Sequence, residues 1–211
     1  MKLKFLVIPT ALVILSCGGA NEKKNDTSVE LNEKSDSPKM ESTTKSAMGL
    51  FNIKAAKVEF KETGGPTEGT ETLYFDDFGN TAVLISDKQS KYEKTNQTII
   101  WKDGKSTMIN HEKKTVMSSP FRPKVTEPPS IADLSESSRN TAGYEKLADE
   151  TVAGKNCEVW YNKAINVKYW LWNKIEMKIE NMGAYTREAV SAEEISSIPT
   201  EVMNIPGDYK Q

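Results

Sequence analysis

From about residue 47 onward the chain alternates apolar and polar side chains in short runs, interrupted by Gly, Asn, Asp and Pro. Such alternation puts successive side chains on opposite faces of an extended backbone, so each run reads as a half-buried strand and each interruption as a turn. Lys57-Val58-Glu59-Phe60-Lys61 is the cleanest run; Gly64-Gly65-Pro66 ends it, Leu73 and Phe75 restore the phase within Thr70 to Phe75, and Asp77-Phe78-Gly79-Asn80 turns the chain into Thr81 to Ile85. Thr98 to Lys102 and Lys105 to Asn110 flank Asp103-Gly104, a dipeptide suited to a two-residue hairpin turn. Further strands are expected at Tyr144 to Leu147, Cys157 to Tyr161, Val167 to Trp172, Ile175 to Glu180 and Tyr185 to Ser191. Between the two groups, Pro120, Pro123, Pro128 and Pro129 exclude regular structure, and Ser130 to Ser135 can cap and open one short helix. The pattern predicts a mainly β domain built as a meandering antiparallel sheet, with one or two short helices.

Hairpin arithmetic says which side chains share a face, because the residues flanking a two-residue loop lie opposite each other. It pairs Trp172 with Ile175, Trp170 with Met177 and Lys168 with Ile179, and leaves Tyr169 and Leu171 with Glu176 and Lys178 on a wetter face. Around Asp103-Gly104 it groups Ile99 and Trp101 with Ser106 and Met108. Ile99, Trp101, Met108, Trp170, Trp172, Ile175, Met177 and Ile179 are therefore the candidate ligand-binding set. Trp and Met on one sheet face make an ordinary core, or, where few helices exist to cover them, the floor of a cavity for an apolar ligand; both readings stand at this point.

The amino terminus adds a second kind of information. Lys2 and Lys4 precede an apolar run from Phe5 to Leu15, which is too short to span a bilayer and reads as an export signal. It ends in Ile14-Leu15-Ser16-Cys17, which resembles the bacterial lipobox, so cleavage after Ser16 and lipidation of Cys17 are expected. Two or three acyl chains hold a protein on a membrane stably. The expected organisation is a signal peptide over 1–16, the lipidated cysteine with a disordered tether over 17–46, and a β-rich domain over 47–211. The tether's apolar side chains are only Ala20, Val29, Leu31 and Met40, too few to offset ordering by burial. Gly18 is not the aspartate that retains enterobacterial lipoproteins in the inner membrane, which favours an outer-membrane anchor facing the periplasm.

Charge and chemistry mostly exclude. After cleavage, 26 Lys and Arg face 30 Asp and Glu, a net charge of −4 with both signs interspersed, so no basic stripe points to nucleic acid. With Cys17 acylated, Cys157 is the one remaining thiol and sits in a strand pattern as a small hydrophobe. His111 is the one histidine, read as a solvated turn residue. Walker, nucleophile-elbow and Gly-x-Gly-x-x-Gly patterns are missing, and no cysteine pair has metal spacing. The expectation is a binding or interaction protein rather than an enzyme, with no cofactor and no metal.

Tyr144-Glu145-Lys146-Leu147, Glu150 to Trp160, Tyr169 to Lys178 and the closing Ile205-Pro206-Gly207-Asp208-Tyr209 together resemble bacterial lipoproteins similar to the outer-membrane lipoprotein-sorting (LolA/LolB-like) superfamily. The resemblance covers mainly the last third of the chain. It implies a curved, unclosed antiparallel sheet, a half-barrel, with short helices packed on its concave face. It further implies a lipid or an acylated protein as ligand, held in a hydrophobic cavity. It names no protein partner.

Overall fold

The computed structural model describes residues 49–120 and 130–210; the predicted signal peptide, Cys17 and the tether lie outside them. The strands are β1 (Ala56–Thr63), β2 (Thr67–Asp76), β3 (Thr81–Ser90), β4 (Lys94–Lys102), β5 (Lys105–Asn110), β6 (Thr115–Pro120), β7 (Tyr144–Lys146), β8 (Glu150–Val152), β9 (Lys155–Asn162), β10 (Val167–Trp172), β11 (Ile175–Asn181) and β12 (Tyr185–Glu194), with one short helix, α1 (Glu136–Thr141). They form one antiparallel sheet in the order β6-β5-β4-β3-β2-β1-β12-β11-β10-β9-β7, with β8 paired to β9. The fold is mainly β and its sheet antiparallel and unclosed, as expected: it begins at β6 and ends at β7, and its first and last long strands meet in the middle.

Local chemistry explains the joints. Asp103 and Gly104 both take positive φ, 52° and 71°, the conformation that lets a two-residue turn follow the sheet's twist. Gly79 lies at φ +91°, and a Cβ there would come within 2.8 Å of the Phe51 ring and 2.9 Å of Leu50. Glycine therefore lets the segment before β1 lie against the β2–β3 turn, where Phe51 N–H donates to Phe78 O at 3.1 Å and the Phe51 and Phe75 rings sit 4.2 Å apart. Ser130 and Ser135 accept from Ala132 N and Ser138 N, capping the 3-10 turn Ile131–Asp133 and α1, two short elements where the sequence anticipates one.

Three apolar clusters hold the sheet. The largest joins Ala56, Val58, Phe60 and Phe75 to Cys157, Val159, Trp170, Ile175 and Met177. A second, Val83, Ile100, Ile109 and Val116, is covered by Ile198, Val202, Met203 and Tyr209 from the C-terminal segment. The third packs Ile131 and Ala132 on Trp160 and Leu171. Leu171 is thus buried, not on a wetter face, because the 3-10 turn before α1 lies over it. Cys157 is fully buried, and burial pushes its thiol up to about 11, so it stays protonated and inert.

Candidate functional site

On β1 to β6 the pairing is continuous, so one row of side chains can be followed across the sheet. Val58 pairs with Leu73, Leu73 with Leu84, Leu84 with Ile99, Ile99 with Met108, and Met108 with Met117. Exposure rises along it, from 0% at Val58 to 39% at Met108 and 68% at Met117. The predicted grouping of Ile99, Trp101 and Met108 holds. Their face, however, is the open one at this end: Thr98, Ile100 and Ile109 on the other face are the sealed residues, at 6%, 7% and 0%. The C-terminal segment decides this by covering that other face.

The opposite half of the predicted set is different. Trp170, Ile175 and Met177 are 3%, 2% and 0% exposed within the main cluster, and the Trp170 Nε1–H donates to Glu150 Oε2 at 2.8 Å. They are core. Trp172 pairs with Ile175 as expected, but a bulge then inserts one extra residue into β11, so Trp170 opposes Lys178 and Ile179 opposes Tyr169 instead of Lys168. Ile179 pairs on its other side with Arg187. Trp172 is half-buried, with Lys155 Nζ 4.6 Å from its ring centre, and lines a polar cleft of about 680 Å³ with Asp133, Glu136, Arg139 and Asp149.

A smaller hollow, about 280 Å³, has the apolar floor a lipid needs. Leu50, Phe51, Leu73 and the nearly buried Phe60 and Ile175 line it, with Ser130, Asp133, Lys174, Glu176 and Arg187 at its wall. It joins the apolar row at Leu73. We take it over the larger cleft as the candidate site, because polar and charged residues supply most of the larger cleft's lining.

Beyond Phe60 the same face becomes charged. Glu71 and Glu62 are 8% and 4% exposed. Lys88 Nζ lies 2.7 Å from both carboxylates, Arg187 Nε lies 2.8 Å from Glu71, and the Arg187 guanidinium sits 3.5 Å over the Phe60 ring. Lys88 reaches Glu62 across β2 because Gly69 stands between them in the register and contributes no side chain. Burial pushes the Glu71 carboxyl up, but hydrogen bonds and charge from Lys88 and Arg187 outweigh it and hold the carboxyl below its ordinary range. Burial works against the charged Lys88, and the two glutamates nevertheless raise it; burial, helped by Glu62, pushes Tyr185 up to about 12. Among the described residues no buried side-chain nitrogen or oxygen is left unpaired.

The strand pattern does not announce this cluster, yet it carries a signal. Glu62 is in phase with Val58 and Phe60, Glu71 with Leu73 and Phe75, and Arg187 with Ala189, each a charge at a core-facing position. His111 also differs from expectation. It is not a solvated turn residue: its ring nitrogens meet Thr98 Oγ1 at 2.9 Å and Tyr209 OH at 3.2 Å, which pins the C-terminal segment to β4.

No protein-family model matches the chain, and no curated protein matches it. Among solved structures it is similar to an uncharacterized conserved protein from Thermus thermophilus, at 6% identity and a TM-score of 0.50 over 74% of this chain and 88% of that one. It is also similar to MucB, at 9% identity and a TM-score of 0.47 over 76% of this chain and 60% of that one. MucB in complex with MucA(peri) gives the same identity and score, with 57% of that chain covered. The likeness to the Thermus protein is one of fold.

Proposed function

We propose that this chain is a lipid-anchored bacterial envelope protein, non-catalytic, whose sheet holds the acyl chain of a lipid or of an acylated protein on the open part of one face. The observation that carries this reading is the apolar row from Val58 to Met117, whose outer members Met108 and Met117 remain exposed and which, at Leu73 near its inner end, borders the hollow lined by Phe51, Phe60 and Ile175. An apolar surface of that extent on one sheet face costs free energy while it faces water, and an acyl chain removes it from water. By strand spacing of about 4.8 Å the row from Leu73 to Met117 spans about 19 Å, the scale of an extended fatty-acyl chain.

A fluorescent acyl probe tests it. Ile99→Glu puts a charge in the middle of the row and should weaken binding by a factor on the order of ten, about 1.4 kcal/mol, while the half-buried position keeps the fold intact. A chain that binds no acyl probe leaves the second reading, an interaction lipoprotein without a small-molecule ligand. What favours that second reading is the sealed state of Trp170 and Met177, which line neither the polar cleft nor the smaller hollow.

The anchor is tested separately. Cys17→Ala should release the protein from the outer membrane into the soluble periplasmic fraction. Quantitative retention on membranes would show that the domain or tether binds them without lipid.

A further inference from the structure

The face that carries the apolar row is graded along the strands. Next to Val58, Leu73, Leu84, Ile99 and Met108 runs the register row Phe60, Glu71, Ser86, Gln97 and Asn110, and beyond it Glu62, Gly69, Lys88 and Thr95. On β3 the passage runs from Leu84 through Ser86 to Lys88, and on β1 from Val58 and Phe60 to Glu62, at about 7 Å per step. Such a gradient matches an amphiphile better than a wholly apolar ligand.

At the charged end the carboxylates have partners, Glu62 and Asp133 included, while one guanidinium has N–H groups to spare. Glu71 accepts from Lys88, Arg187 and Ser86, and Glu176 accepts from the Ser130 hydroxyl. The carboxylates are thus occupied. Arg187 spends Nε on Glu71 and one Nη1 hydrogen on Glu176 O at 3.4 Å; of the five N–H groups a guanidinium carries, the others meet no acceptor among the described residues. Its side chain is 16% exposed, and it stands in the wall of the hollow beside Phe60. Lys174 stands in the same wall, which Asp133 and Glu176 also line. Donors without acceptors at the rim of an apolar hollow select an acceptor-rich, negatively charged group, and the planar fork of arginine suits carboxylate and phosphate oxygens alike.

We infer that the ligand is an anionic amphiphile, its carboxylate or phosphate head held by Arg187 with Lys174 nearby, and its chain laid over the hollow and the apolar row. This rests on the acyl-binding reading above.

Calorimetric titration of the mature chain carrying Cys17→Ala with dodecanoate, dodecyl phosphate and dodecanol separates the two claims. At pH 7 at least one of the anionic ligands should bind about tenfold tighter than the alcohol, and which one does so tells a fatty acid from a phosphorylated lipid. Arg187→Gln should abolish that preference, whereas Arg187→Lys should keep part of it. Because Arg187 also neutralises Glu71, Lys174→Gln serves as a second variant and should reduce the preference without touching the buried cluster. Equal affinity of all three ligands for the unsubstituted wall overturns the head-group assignment and leaves chain binding standing. Binding of none of them overturns the acyl reading itself.

Discussion

Trp170→Ala is expected to lower the unfolding free energy by about 3 to 5 kcal/mol, the range for truncating a large buried aromatic, and Trp172→Ala by clearly less. Local pattern assigns both residues the same strand, the same face and the same chemistry. Their surroundings differ. Trp170 is 3% exposed, packed among Val159 and Met177, and its indole N–H is committed to Glu150. Removing the ring opens a cavity that the paired strands cannot collapse around, and leaves the Glu150 carboxylate without that donor. Trp172 is half-buried at the rim of the polar cleft under Lys155, so part of its ring has nothing of the protein to lose. Urea titrations of the two variants decide the matter; equal losses would mean that Trp172 is as sealed as Trp170.

The second large effect is electrostatic. Glu71→Gln at pH 7 should cost about 3 to 5 kcal/mol, because it strips one partner from a buried pair and leaves Lys88 and Arg187 short of negative charge. The pH dependence has a fixed sign. The Glu71 carboxyl is held below its ordinary range in the folded state, so its contribution is present above the unfolded pKa and is lost as pH falls through the folded one. The penalty of Glu71→Gln should therefore shrink on acidification, since the wild-type carboxyl is then protonated too. At the alkaline end, Lys88 and Tyr185 are both raised. Their stabilisation is complete below their unfolded values and fades as pH rises through the folded ones. Thermal unfolding of both proteins across the pH range measures this directly, and a penalty that grows on acidification would contradict the cluster's geometry.

Much of the sheet can be read in the amino acids because a strand's faces are set by a period of two that needs no tertiary context. Val58 and Phe60, Leu73 and Phe75, and the Asp103-Gly104 turn announce β1, β2 and the β4–β5 hairpin, and the register there places Ile99 opposite Met108 as the arithmetic requires. The strands that escape are β6 and β8. Thr115-Val116-Met117-Ser118-Ser119-Pro120 has little alternation and ends in a proline, which is tolerable only because β6 is the edge of the sheet. Glu150-Thr151-Val152 is too short to show a period at all.

Local pattern, then, determined that this chain forms an antiparallel meander, where its tight turns fall and which residues alternate on each strand, because those follow from backbone geometry over a few residues. Whether a given face is core or open was decided by tertiary structure. The C-terminal segment, distant from β5 in sequence, covers Ile100 and Ile109 and so leaves Ile99 and Met108 uncovered. One inserted residue in β11 moves Ile179 away from the partner the hairpin count gives it. Four charged side chains from four strands, each unremarkable alone, meet as a neutralised cluster only when β12 closes against β1, because burial of a charge depends on partners that no local window contains.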